Sequence, residues 1–245
     1  MSELFLKLRN DHDLDEYKYI YEKNGLVRIE RLLPDKLAEQ IHDILVNQTV
    51  WHIVHATQNK THKYYRPDAW EALSAKEQGQ IINDVKRQAR NGFSYLYACY
   101  PMIQSYIKGL DPQWPLHAMT EFLNTDEVLE FVKTITGEKT CNKLDCQATL
   151  YGPGHFLNTH YDADTQKLAN RKAAYVMGFT KAWPANWGGQ LLMLSDDDTV
   201  ETGFTPTFNS LILFKVPRRH LVTQVANFAG HGRYSITGWL LEKLS

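Results

Sequence analysis

The second half of the chain is cut into short apolar runs that a helical fold could not use. From Leu144 onward the segments CQATLYG, HFLNTH, AAYVMGFT, GQLLML, SLILFKV, HLVTQV and RYSITGWLL are rich in β-branched and aromatic residues. Turn-forming stretches such as GPG, NWGG and SDDD separate them. About seven short strands over about a hundred residues point to a sandwich, a barrel or a jelly roll. Upstream, from Asp35 to about Gly137, the pattern is mostly helical. DKLAEQIHDIL puts Leu37, Ile41 and Ile44 on one face. SAKEQGQIINDVKRQA opens with Ser74 and carries Glu77 three residues later, a capping box, followed by Ile81, Val85 and Ala89 at helical spacing. NTDEVLEFVKTITG is expected to be capped by Asn124 and to end at Gly137, which suits a left-handed C-terminal residue. The aromatic stretch FSYLYACYPMIQSYI does not separate helix from strand. The expected organisation is an α+β fold, with a mainly helical support region over 1–140 packed on a β core over 141–245.

Composition narrows the function classes. A net charge of -1 gives no electrostatic footprint for nucleic acid or an anionic membrane. Three cysteines, Cys99, Cys141 and Cys146, make an odd set without zinc-finger spacing. Buried free thiols in a reducing cytoplasm are expected. The N-terminal residues lack a long apolar signal-type region, and no apolar run approaches a membrane span, so a cytoplasmic protein is expected.

The stretch NTHYDAD places His160 and Asp162 two residues apart where a strand is expected to end. Alternation puts Asn158 and His160 on one face, and Asp162 on the same side if the strand continues. Imidazole with carboxylate suits Fe(II), Mn(II) or Zn(II), and a third ligand is needed. His220, at the start of a later strand, offers it. On the last strand Arg233, Ser235, Thr237 and Trp239 share a face by period two. A guanidinium pointing into a barrel needs an anion, which a bound dicarboxylate would supply through a bidentate pair, with the Ser235 hydroxyl beside it. Each feature alone has an ordinary reading: a capped turn with an exposed histidine, a core histidine, a surface ion pair. Their conjunction favours a metal site.

These residues resemble the Fe(II)- and 2-oxoglutarate-dependent oxygenases, within them the prolyl 4-hydroxylase branch, including the hypoxia-sensing type and its bacterial relatives. HYD at 160–162, NWGGQLLM at 186–193, NSLILFKVPRRHLVTQV at 209–225 and RYSITGWL at 233–240 carry the resemblance, which covers about residues 142–243. It implies a double-stranded β-helix, the jelly roll of that superfamily. It implies His160, Asp162 and His220 as the facial triad on Fe(II), and Arg233 on the distal carboxylate of 2-oxoglutarate. Thr237 would line the same pocket. Tyr151 matches a family tyrosine that helps hold the cosubstrate, and an ordinary strand aromatic is the competing reading. O2 would be the other cosubstrate, and ascorbate a candidate reductant. The implied reaction forms succinate and CO2 and hydroxylates an unactivated C–H bond, with a prolyl residue of a protein or peptide as the expected substrate.

The pattern departs from the hypoxia-sensing branch in two places. Its second cosubstrate tyrosine falls near Gly178, so that contact is absent or replaced, with Met177 as the candidate. The interval from His220 to Arg233 is longer, with ANFAGHG as the extra turn. ADTQKLANRKAA, directly after Asp162, reads as a substrate lid or a plain solvated loop. Trp183 and Trp187 are expected to pack against the helices rather than wall a substrate. His155 and His231 are expected to be exposed turn histidines. A free amino acid or small metabolite is an alternative substrate, with Asp164 and Lys167 able to meet its charges. A non-catalytic jelly-roll binding module and a cupin-like Zn or Mn enzyme are further alternatives. Neither of those needs a buried carboxylate anchor, so Arg233 with Ser235 separates them from the oxygenase readings.

Overall fold

The computed structural model describes residues 4–57, 61–162 and 171–242. The N-terminal half runs α1 (Leu14–Asn24), β1 (Leu26–Glu30), α2 (Asp35–Asn47), β2 (His52–Ala56), β3 (His62–Tyr65), α3 (Pro67–Glu71), α4 (Ala75–Ala89), β4 (Tyr95–Tyr100), α5 (Met102–Lys108), α6 (His117–Phe122) and α7 (Asp126–Thr136). The remainder is β: β5 (Cys141–Leu144), β6 (Gln147–Tyr151), β7 (Phe156–His160), β8 (Arg171–Phe179), β9 (Leu191–Leu194), β10 (Val200–Phe204), β11 (Phe208–Lys215), β12 (His220–Val222) and β13 (Arg233–Glu242). Among the described residues, no helix is long and apolar enough to cross a membrane.

The strands form a curled antiparallel sheet in the order β1-β11-β8-β13-β6-β4-β7-β12-β9-β10. This is the double-stranded β-helix expected from sequence: β11, β8, β13 and β6 make one wall, and β7, β12, β9 and β10 the other. Period-two alternation sorts the side chains of the first wall. Tyr175, Met177, Leu211, Leu213, Ile236 and Leu240 face the helices in one large core with Leu37, Ile41 and Phe131. Ala174, Ile212 and Phe214 face inward with Tyr151, and there meet Leu191, Met193 and Val222 of the other wall.

The helical expectations hold in α2, α4 and α7, with local corrections. Leu37, Ile41 and Ile44 are buried on one face of α2. Ser74 and Glu77 form the reciprocal capping box of α4. Ile82, not Ile81, joins Val85 and Ala89 on its packed face. Gly137 ends α7 at φ 76°. The cap of α7 is Thr125, whose hydroxyl accepts from the Val128 N–H, rather than Asn124. Asn124 instead exchanges two hydrogen bonds with the backbone of Leu144, at 3.0 and 2.9 Å, tying α7 to β5.

The segment read as mostly helical also contains β2, β3 and β4. The uncertain aromatic stretch resolves into β4 followed by α5. β4 is buried on both faces, so its sequence lacks the alternation that marks a half-exposed strand. It pairs with β6 through Ala98–Tyr100 and with β7 through Tyr95 and Leu96, spanning the seam between the two walls. β1 pairs with β11 along its whole length. β12 is shorter than HLVTQV suggested, because Val225 leaves the ladder to exchange backbone bonds with His155 and Gly154.

Candidate metal centre

β7 and β12 are antiparallel neighbours, and their register sets His160 directly opposite His220. Directly opposed residues share a face, and the two imidazole rings lie 4.3 Å apart. β7 ends at His160, so Asp162 reaches the same point from a bend beyond the strand rather than from its continuation. Asp162 Oδ1 lies 3.6 Å from His160 Nε2, and Oδ2 lies 3.6 Å from His220 Nε2. One ligand atom from each residue lies within 4.8 Å of the others.

Both imidazoles are oriented the same way. His160 Nδ1 lies 2.9 Å from the Asn158 carbonyl, and His220 Nδ1 lies 2.8 Å from the Arg218 carbonyl. A carbonyl can only accept, so Nδ1 carries the proton and each Nε2 turns a free lone pair toward Asp162. Burial, reinforced by the neighbouring His160, pushes the His220 imidazole down to about 4, so it is neutral near pH 7. Burial alone would raise the Asp162 carboxyl, but the polar groups around it, the His160 and His220 imidazoles foremost, hold it below the ordinary carboxylate value. Two imidazole nitrogens and a carboxylate converging on one point are a donor set for a divalent transition metal. Phe214 packs edge-on to His220 at 4.9 Å, and Phe93, from the N-terminal half, lies 5.4 Å from His160. No periodicity marks either contact in the sequence. Asn158 does not join the site: its amide donates to the carbonyls of Ala89 and Gly92 at the end of α4.

Arg233 opens β13 opposite Tyr151. It is only 5% exposed. Its guanidinium lies 5.0 Å over the Tyr151 ring, and no acid among the described residues pairs with it. A buried unpaired charge is costly, and here burial lowers the arginine's affinity for its proton. Ser235 is buried and hydrogen-bonded to the Thr149 hydroxyl at 2.7 Å. Arg233 and Ser235 line a common cavity with Val176, Gly178, Leu191 and Ile212. A guanidinium buried in this way calls for an anion beside it. Thr237 is half-buried, opposite Gln147 and Val176. Trp239 belongs to the inward cluster, and its buried indole N–H completes no hydrogen bond among the described residues. It nonetheless lies close enough to help hold the Asp162 carboxyl low.

Several expectations change at this level. A Cβ on Gly178 would sit 2.2 Å from the Thr207 carbonyl, so no side chain fits where the second cosubstrate tyrosine would fall. Met177 does not replace it, because its side chain belongs to the helix-facing core. Trp183 packs in the inward cluster, not against the helices, and meets Trp187 edge-on at 5.3 Å. Gly189, at φ +67°, makes this possible: a Cβ there would lie 3.3 Å from Trp183 and 3.4 Å from Arg233 Cδ. His155 is half-buried, accepts from the Gly152 N–H and is held neutral by burial, whereas His231 is exposed as expected. Residues 163–170 of the expected lid, with Asp164 and Lys167, lie outside the described residues.

Residues 146–241 match the model of the 2OG-Fe(II) oxygenase superfamily. An uncharacterized PKHD-type hydroxylase from Synechocystis sp. is 30% identical over 115 residues, 42% of this chain. The chain spans only 38% of that relative's length. A prolyl-4-hydroxylase from Pseudomonas putida superposes with a TM-score of 0.57 at 16% identity, over 94% of this chain and 99% of that one. A prolyl hydroxylase from Trichoplax adhaerens, in complex with a hypoxia inducible factor peptide fragment, gives 0.60 at 14% identity, over 96% and 94%. At these identities the two structures establish the shared fold. The family and the His–Asp–His cluster imply Fe(II) and 2-oxoglutarate. In its converging donors and in this match, the region 146–241 is similar to the 2OG-Fe(II) oxygenase superfamily.

Proposed function

We propose that the chain is an Fe(II)- and 2-oxoglutarate-dependent dioxygenase that hydroxylates an unactivated C–H bond, with a prolyl residue of a protein or peptide as substrate. One observation carries the reading: the barrel that brings His160, Asp162 and His220 together also holds Arg233 buried without an acid among the described residues. A metal site alone fits a cupin-like enzyme or a binding module. The second, anion-seeking site is what a dicarboxylate cosubstrate requires.

In this reading His160, Asp162 and His220 hold the metal, and the Nδ1 bonds of the two histidines fix their rings in advance. Three protein donors leave the remaining coordination positions to small molecules. Arg233 pairs with the distal carboxylate of 2-oxoglutarate, with the Ser235 hydroxyl beside it and the Tyr151 ring under the guanidinium. Thr237 is proposed to act on the same ligand from further along β13. Leu191, Met193, Ile212 and Phe214 form apolar walls that exclude water from the reacting atoms. When bound, Fe(II) with 2-oxoglutarate and O2 supplies the oxidising chemistry, which forms succinate and CO2 and delivers one oxygen atom to the substrate C–H bond.

Fold neighbours named as prolyl hydroxylases, one of them carrying a peptide, support a prolyl residue as substrate. The test is a coupled assay of succinate and hydroxylated product. Proline-containing peptides are expected to give tightly coupled turnover and free proline slow, uncoupled turnover, because remote contacts help orient the reacting bond. Tight coupling on a free amino acid, with no gain from peptides, would replace this substrate with a small metabolite.

A further inference from the structure

Arg171 has no role in the account above, yet it joins two parts of the site. It opens β8 opposite Leu241 of β13, which puts it diagonal to Trp239 on one face of the sheet. Its guanidinium carbon lies 3.7 Å from the centre of the Trp239 ring, a stacked contact. One of its nitrogens donates to the main-chain carbonyl of Asp162 at 2.9 Å. Trp239 is itself fixed through its backbone: its N–H donates to Asp145 Oδ1 at 2.6 Å, and its carbonyl accepts from the Asp145 N–H at 3.2 Å. Arg171 thus ties the bend after β7, which carries Asp162, to the fixed indole.

We propose that Arg171 is a positioning residue for the metal centre: stacked on Trp239 and bonded to the Asp162 backbone, it holds the Asp162 carboxylate and the Trp239 indole N–H against one another. The proposal rests on the reading of Asp162 as a metal ligand. A planar guanidinium can lie on a ring and donate in its own plane at the same time, which an ammonium cannot. If Arg171 were only a cover for the exposed edge of Trp239, its bond to the Asp162 carbonyl would have no consequence for the carboxylate. Partners that orient a metal-binding carboxylate commonly change metal affinity 10–100-fold when removed.

The experiment uses the full chain and Co(II) as the probe, with affinity read by calorimetry and the ligand field by the Co(II) electron paramagnetic resonance signature. Arg171→Met is expected to weaken Co(II) binding about 10–100-fold and to alter the Co(II) signature, while the thermal midpoint of the metal-free protein stays near wild type. Arg171→Lys, which keeps the charge, is expected to recover little of the affinity. Trp239→Phe keeps a ring for the stack and removes the N–H, so it reads the same clamp if Arg171→Met fails to fold. The double variant is expected to lose no more than the worse single variant, because both act through one assembly. Wild-type affinity and signature in Arg171→Met, or losses that multiply in the double variant, would overturn the clamp and leave the metal site standing. Failure of the wild-type chain to bind Co(II) would overturn the clamp and the metal-site reading together.

Discussion

Among the described residues Arg233 meets an aromatic face and no acid, and this makes a two-sided prediction. Arg233→Met removes a buried charge and keeps most of the packing, so the thermal midpoint without ligand is expected to hold or rise. In the same variant 2-oxoglutarate affinity is expected to fall by about 2–5 kcal/mol, while Co(II) binding persists. Calorimetry with each ligand and a melting curve check all three. A destabilised apoprotein with unchanged 2-oxoglutarate affinity would mean that the anchor is elsewhere. Much of the site was legible at this scale because its residues are chemically unusual for their places: an imidazole and a carboxylate at the end of a strand, a histidine opening another, an arginine on an inward face. Phe93 and Phe214 were not legible, since an aromatic in a loop or a strand is ordinary and only the folded barrel brings these two against His160 and His220. The empty place at Gly178 was visible as a departure, but its cause, the Thr207 carbonyl 2.2 Å from any Cβ, exists only in three dimensions.

Among the elements, the turn between β5 and β6 does unusual work. Asp145 is largely removed from water there, and burial raises its carboxyl from the ordinary 3.8 to about 6. The folded chain therefore keeps a proton that the unfolded chain releases between those values. That contribution to stability is greatest below about pH 4 and is lost as pH rises through 6, a difference of about 3 kcal/mol. Asp145→Asn preserves the acceptor for the Trp239 N–H and removes the ionisation. It is expected to raise stability near pH 8 and to leave it unchanged near pH 4, as denaturant titrations at the two values would show. An equal effect at both would assign the change to packing. Asn124 offers a second test. Asn124→Ala breaks both bonds to Leu144 and is expected to cost about 2 kcal/mol, against about 1 kcal/mol for Thr125→Ala at the cap of α7. Asn124 reads as the cap in the sequence because either residue can cap a helix, and what displaced it is a strand twenty residues later. Strands with one wet face announced themselves by alternation. β4, covered on both faces, did not.

At the scale of the whole molecule, the division into a support region over 1–140 and a core over 141–245 is a proposal about sequence, and the sheet runs across it. β1 and β4 come from the first part and pair within the barrel of the second. The helix-facing core draws on both. The intact chain is accordingly expected to unfold in one transition, with fluorescence and circular dichroism curves coinciding. A fragment of residues 141–245 is expected to fail to reach a soluble folded state. Two separate transitions, or a folded fragment, would make the barrel an autonomous unit. The place of β4 also bears on how the chain is born. Synthesis proceeds from the N-terminus, so β4 leaves the ribosome before β6 and β7, the two strands it joins across the seam. When β6 and then β7 emerge, each meets a partner already made, and the edges where the barrel's two walls meet need not wait exposed for one another.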